Sequence, residues 1–235
     1  MNKTYNVIKN CKSCELCQNQ PPLVQQSSNA EIFWVGLSAV KTLNRNEMPL
    51  SINTNSGKLI NTIEFFFKNK LFYKTNLVKC LPLENEKIRY PSTKEMKDCF
   101  FHLNDEISFL KPKLIFLLGK QVASFVLKEF GIKDFSLDDE FNYSSFLINN
   151  FKFIPIHHPS FVLIYKRKKL QNYINNIENI IKGMDKRTNN SLTKPIRNIG
   201  FSLAHNVSPG SSILLSTYKY NHHPINIHSR DLQSV

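Results

Sequence analysis

The chain is poor in long apolar runs, in acidic residues and in cysteines, and each shortage excludes something. None of its 235 residues falls in an uninterrupted apolar stretch near the roughly eighteen positions that a membrane-spanning helix needs. The first residues, MNKTYNVIKN, lack the basic and apolar regions of a secretion signal. A soluble cytoplasmic chain without a membrane partner is expected, and a monomer. Only 18 Asp and Glu oppose 31 Lys and Arg, for a net charge of +13. That surplus suits a polyanionic partner, because each neutralised phosphate releases counterions. The abundance of Lys, Asn, Ile and Phe is also what an A/T-rich coding sequence produces, so charge supports a nucleic-acid reading without carrying it. Five cysteines are an odd number, which in a reducing compartment argues for metal binding or reactivity over disulfides.

What is present begins with the placement of those cysteines. Cys11 and Cys14 form a CxxC, Cys80 ends the strand-like TNLVKC, and Cys99 lies on a helical pattern. A CxxC grips a metal centre from one side, and two more thiolates brought in by the fold complete a four-thiolate cage of the kind that holds zinc or an iron–sulfur cluster. Cys17 extends the run to CKSCELC and so offers an overlapping pair. The thiols alone indicate a metal site without naming the metal.

Short buried-strand patterns alternate with helical ones. Strands are expected over 31–37, 73–79, 113–119 and 151–156, and helices over 56–70, from Ser92 to about Leu110, over 121–130 and over 169–183. Ser92 and Glu95 have capping-box spacing, and Pro112 marks that helix's end. This rhythm predicts an α/β fold, a three-layer α/β/α sandwich with a central, mainly parallel sheet. In such sheets ligands collect at the carboxyl ends of the strands, where Gly36, Asn76 and His158 all fall. The domain is expected to span 1–183. Residues 184–235 are polar, carry four of the seven histidines, among them His222, His223 and His228, and read as a flexible or accessory tail.

CKSCEL, GLSAV at 36–40, NLVKCLPLENEKIRYPSTKEMKDC, KPKLIFLLGKQVA and HPSFVL occur in the order and setting of the motifs of the uracil-DNA glycosylase superfamily. Together they resemble most its family 4, whose members carry a four-iron, four-sulfur cluster, and the resemblance runs from Tyr5 to Gly183. It implies a DNA glycosylase that removes uracil or a related deaminated base in base-excision repair. The alternative is a catalytically weak or inactive nucleic-acid-binding member with a structural metal centre.

The resemblance assigns the cluster, or alternatively zinc, to Cys11, Cys14, Cys80 and Cys99. Asn76 becomes the reader of the base, although a strand-end Asn that caps a turn has the same local appearance. His158 becomes the catalytic donor to uracil O2, and the adjacent His157 is given no catalytic role. The first motif departs from the pattern. Family 4 reads Gly-Glu-Ala-Pro-Gly where this chain has Gly36, Leu37, Ser38, Ala39 and Val40. The Gly-Leu start looks more like family 5, which also lacks the acid. Ser38 is the remaining catalytic candidate of that motif, able to hold a water but not to act as a base near neutral pH. Leu50 stands where the family places the aromatic that stacks on the base, with Asn53 or Asn55 as alternative lining residues. After HPS, Phe161 to Leu163 are the candidate wedge, and Lys166, Arg167, Lys168 and Lys169 the candidate phosphate contacts.

Overall fold

The computed structural model describes residues 3–42, 44 and 47–184. The expected tail lies outside them beyond Met184. Two short helices open the chain, α1 (Lys3–Lys9) and α2 (Leu16–Asn19). Strand β1 (Ile32–Ser38) follows, then α3 (Asn55–Phe65) and β2 (Phe72–Val78). A small hairpin, β3 (Leu83–Glu84) and β4 (Lys87–Ile88), precedes α4 (Thr93–Leu110), β5 (Leu114–Leu118) and α5 (Lys120–Glu129). The described chain closes with β6 (Phe146–Ile148), β7 (Phe151–Ile156), α6 (Pro159–Tyr165), one 3₁₀ turn (Arg167–Lys169) and α7 (Leu170–Gly183). Among the described residues no helix is long and apolar enough to cross a membrane.

The five-stranded sheet has the order β2-β1-β5-β7-β6. All neighbours are parallel except β6 and β7. Strand side chains alternate between faces, and the core divides accordingly. Ile32, Trp34, Leu114, Phe116, Leu118, Ile154 and Ile156 pack with residues of α3, α6 and α7. Phe33, Val35, Tyr73, Leu77, Ile115, Leu117 and Phe153 pack with residues of α4 and α5. The three-layer sandwich is thus explained by a two-residue repeat with both faces apolar.

Local chemistry accounts for the helix ends. The expected capping box opens α4: the Ser92 side chain accepts from Glu95 N–H, and the Glu95 carboxylate accepts from Ser92 N–H. Arg89 clasps the same carboxylate through two N–H groups at 2.8 and 2.6 Å, holding it down at about 2. Lys111, left-handed at φ 49°, ends the helix just before Pro112. Helix α3 stops at Phe65 rather than reaching residue 70. Phe66 and Phe67 N–H donate to Ile63 and Glu64 carbonyls, tightening the last turn so that Phe67 turns into the core. The segment after His158 is a helix, where its first residues suggest a short turn. Pro159 sits at the start with its φ already helical, and His158 caps it.

Candidate active site

Four backbone ends meet at the carboxyl edge of the sheet, and the chain order of the strands switches direction between β1 and β5, where α/β sheets open a crevice. Glycine lies at both central positions. Gly36 pairs with Asn76 in the β1–β2 register, and a Cβ on Gly36 would lie 2.3 Å from Asn76 Oδ1. The carboxamide of Asn76 therefore lies across β1 only because position 36 has no side chain. Gly119, at φ +94°, follows β5, and a Cβ there would stand 3.2 Å from His158 Cβ. Its N–H donates to the Ile156 carbonyl at 2.7 Å, tying the end of β5 to the end of β7. Asn76 on β2 and His158 after β7 thus lean inward over two glycines. Three strand spacings, roughly 14 Å, separate their strands.

The protonation of His158 follows from its bonds. Its Nδ1 accepts the backbone N–H of Ser160 at 3.2 Å and lies 2.7 Å from the Ser160 hydroxyl. A backbone N–H can only donate, so Nδ1 holds a lone pair and the neutral ring carries its proton on Nε2. Burial lowers its pKa from the ordinary imidazole value, because desolvation penalises the charged form. His158 is therefore a neutral donor aimed by its own helix cap. His157 is held differently: the Tyr143 hydroxyl lies 3.1 Å from its Nδ1, and Tyr173 OH donates to its carbonyl at 2.9 Å. Phe161 stacks on its ring.

The remaining pocket candidates divide by face. Leu50, left-handed at φ 51°, brings Cδ2 to 3.3 Å from where a Gly36 Cβ would be, so its side chain stands beside Asn76. Its loop is seated on Gly57, where a Cβ would meet the Ser51 carbonyl at 1.9 Å. Ser38 ends β1 on the same face as Gly36, half-buried. The Leu37 side chain packs against the opposite layer with α4 and α5, so only its backbone borders the pocket. Asn53 and Asn55 are exposed, and Asn53 donates to Glu47 at 3.0 Å.

The thiols gather behind β2. Cys80 and Cys99 are buried, while Cys14 and Cys17 pack against the same core. Burial, then the charges of Cys14, Cys99, Cys11 and Cys17, push the Cys80 thiol well up. The Cys99 thiol is pushed up to about 11 by burial, opposed by Lys79, whose backbone N–H donates to its Sγ at 3.3 Å. Asn19 donates to the Leu81 carbonyl at 2.9 Å, and Gln20 brackets Val40 and Thr42. The cysteine segment is thereby laced to both the β2 exit and the loop after β1. No three His, Cys, Asp or Glu of the described residues are drawn together as ligands of one ion. The donor set itself fits a thiolate-bound group: soft sulfurs, with a backbone N–H on one of them.

On the outer rim, α6 exposes Phe161, Ile164 and Tyr165, with Leu163 partly in the core. The basic run is not uniform. Lys166 pairs with Asp139 at 3.1 Å and Lys169 with Glu140, whereas Arg167 and Lys168 are exposed. Sequence reasoning passed over three contributors: Gly119, the Tyr143 support of His157, and a buried Lys79–Glu106 pair behind Asn76. Only Gly119 left a signal, as the glycine between an apolar strand and a helix.

Known proteins resemble the chain at the level of the family. A family model described as the uracil DNA glycosylase superfamily matches residues 25–182. A type-4 uracil-DNA glycosylase of Saccharolobus solfataricus is 26% identical over 66% of this chain and 74% of its own length. One of Archaeoglobus fulgidus is 25% identical over 74% of this chain and 87% of its own. The solved structure of Pedobacter heparinus SMUG2 shares 16% identity over 66% of this chain and 76% of that one, with a TM-score of 0.47. With well over half of its length matched by the family model, the chain belongs to the uracil DNA glycosylase superfamily.

Proposed function

We propose that this chain removes uracil, or a related deaminated base, from DNA by hydrolysing the N-glycosidic bond in base-excision repair. The observation that carries the reading is the pairing of Asn76 and His158 over the two glycines of the central strands. A base in duplex DNA must leave the stack to be cut at its sugar. The Asn76 carboxamide offers a donor and an acceptor together, matching the O4 and N3–H edge of uracil. Opposite it, the Nε2–H of His158 donates to O2, where negative charge grows as the base departs, so that a neutral, preorganised donor stabilises the transition state more than the ground state. Ser38 holds a water by its hydroxyl but takes no proton, and leaving-group stabilisation carries the rate. Leu50 covers the base with an aliphatic surface in place of an aromatic, which weakens base selection, since stacking on an aromatic is worth about 1–3 kcal/mol per base.

Cys11, Cys14, Cys80 and Cys99 would hold a four-iron, four-sulfur cluster, zinc being the alternative. Bound there, the group staples the N-terminal segment to the β2 exit. Phe161 serves as wedge and Arg167 and Lys168 as phosphate contacts, while Lys166 and Lys169 must first release their acids.

The test is a glycosylase assay on uracil-containing oligonucleotides, with hypoxanthine and xanthine in parallel, beside iron, sulfide and zinc analysis of anaerobically purified protein. Uracil release that collapses in His158→Ala is expected, from a brown protein. Colourless protein with stoichiometric zinc would replace the cluster by zinc. One observation favours a second reading, an inactive nucleic-acid-binding member: Leu37 occupies the family's acidic position and points into the opposite layer. Uracil-selective binding without cleavage would establish that reading instead.

A further inference from the structure

A buried ion pair behind the sheet has no part in the chemistry so far. Lys79 and Glu106 meet at 2.6 Å, both side chains almost wholly shielded from solvent. Such a pair is seldom more stabilising than apolar residues of the same volume, so stability alone does not account for it. Its other partners do. β2 is an edge strand, and its outward backbone groups need partners outside the ladder. Gln25 supplies them at the start of the strand, donating to the Phe72 carbonyl at 3.3 Å and accepting from Lys74 N–H at 2.9 Å. The two-residue repeat turns the Asn76 carbonyl to the same side. There it accepts from Lys79 Nζ at 2.8 Å.

The ammonium has three protons and three acceptors: the Asn76 carbonyl, Thr75 Oγ1 at 2.6 Å and Glu106 Oε2 at 2.6 Å. Glu106 also accepts from Tyr73 OH at 2.9 Å and from Thr75 Oγ1 at 2.9 Å. Rotating the peptide plane of Asn76 would leave a buried charge short of a partner. That plane sets the direction in which the carboxamide crosses Gly36. We propose that Lys79, charge-balanced by Glu106, is a positioning residue that fixes Asn76 and thereby sets selectivity for the uracil edge. The proposal rests on the base-reading role of Asn76 given under Proposed function. An error of half an ångström or 10–20° is enough to spoil such a contact.

The test uses the full chain with Lys79→Met/Glu106→Gln, which removes both charges at similar volume. Lys79→Met/Glu106→Leu is the second variant should the first not fold. Tyr73→Phe is the control, because Tyr73 touches Glu106 but not Asn76. Two quantities are read in protein shown by thermal melting to be folded. One is the side-chain amide NMR signal of Asn76, assigned by its loss in Asn76→Ala; the other is the preference for uracil over cytosine in cleavage and in oligonucleotide binding. The expected result is a shifted or broadened Asn76 signal and a preference reduced about tenfold, with Tyr73→Phe like wild type. An unmoved Asn76 signal with unchanged preference overturns the proposal, as does the same loss in Tyr73→Phe. A wild type without uracil preference defeats the functional reading, and the Asn76 signal then decides the positioning by itself.

Discussion

The two faces of the sheet at its carboxyl edge are built on opposite principles. On the α3, α6 and α7 side, the pocket is made by omission: two glycines, one neutral imidazole and one carboxamide, with no paired charge among the residues that border it. On the α4 side, directly behind, lie a buried ion pair, a buried histidine and the buried thiols Cys80 and Cys99. The difference has a physical reason. A site that stabilises a departing anion gains from fixed dipoles and loses from a carboxylate nearby, whereas a frame that must hold an edge strand gains from bonds too costly to leave unmade. Substitutions on the pocket face should therefore cost activity, and those behind it stability first, with selectivity following where Asn76 is released.

The largest expected effect breaks the rear face. Lys79→Ala or Glu106→Ala leaves the other charge buried and unpaired, and should destabilise the fold by about 3–5 kcal/mol, read as the midpoint of denaturant unfolding. A change within error would mean that water reaches the pair. Next comes the pocket face. His158→Ala should raise the barrier to base release by about 2.7–4 kcal/mol in single-turnover assays while lowering unfolding stability by only the ~1 kcal/mol of a lost helix cap, and Ser38→Ala should cost far less. Full activity in His158→Ala would remove leaving-group stabilisation as the mechanism.

Two histidines, His102 buried and His158 half-buried, sharpen the comparison by pH. Neither ring nitrogen of His102 has a hydrogen-bond partner among the described residues, and burial, aided by Lys79, lowers its pKa to about 4. Unfolding returns it to about 6.5, so between these values the unfolded chain binds the extra proton and stability is lost as pH falls. The loss should reach on the order of 3 kcal/mol at the acid end, and His102→Phe should flatten it. His158 is lowered as well, so glycosylase activity should hold as pH falls to about 6.5 and decline only in more acid solution, where protonation breaks the Nδ1 bond to Ser160. Activity that rises as the solution is acidified through that range would show that the neutral ring is not the active form.

The smallest effect concerns the rim. Arg167→Ala and Lys168→Ala should each lower the salt slope of DNA binding by about 0.9 if each neutralises one phosphate, and Lys166→Ala and Lys169→Ala by less, since both are engaged by acids. Equal slopes for all four would show that the acids let go on binding.

Strands and helices whose periodicity repeats over a full element were legible: β1, β2, β5, β7, α4, α5 and α7. The missed elements are short or depend on contact. β6 is three residues long and exists by pairing with β7. The β3–β4 hairpin turns on left-handed Asn85 and Glu86, neither a glycine. In the candidate site, Gly36, Asn76 and His158 stood out because each lies near the carboxyl end of a strand within a motif, whereas Lys79 read only as the neighbour of Cys80.

Residue order alone thus determined the layers, because they follow from local repeats, and it supplied the candidate site at the carboxyl edge and the candidate thiols, because their side chains are chemically distinctive. Tertiary structure decided which atom of His158 carries the proton, which face Leu37 takes, which lysines of the basic run are already paired, and that Lys79 turns back along its own strand to the Asn76 carbonyl. The acids that engage the lysines lie far off in sequence, and the contacts of His158 with Ser160 and of Lys79 with Asn76, though close in sequence, depend on the direction in which a side chain turns; no local pattern encodes either.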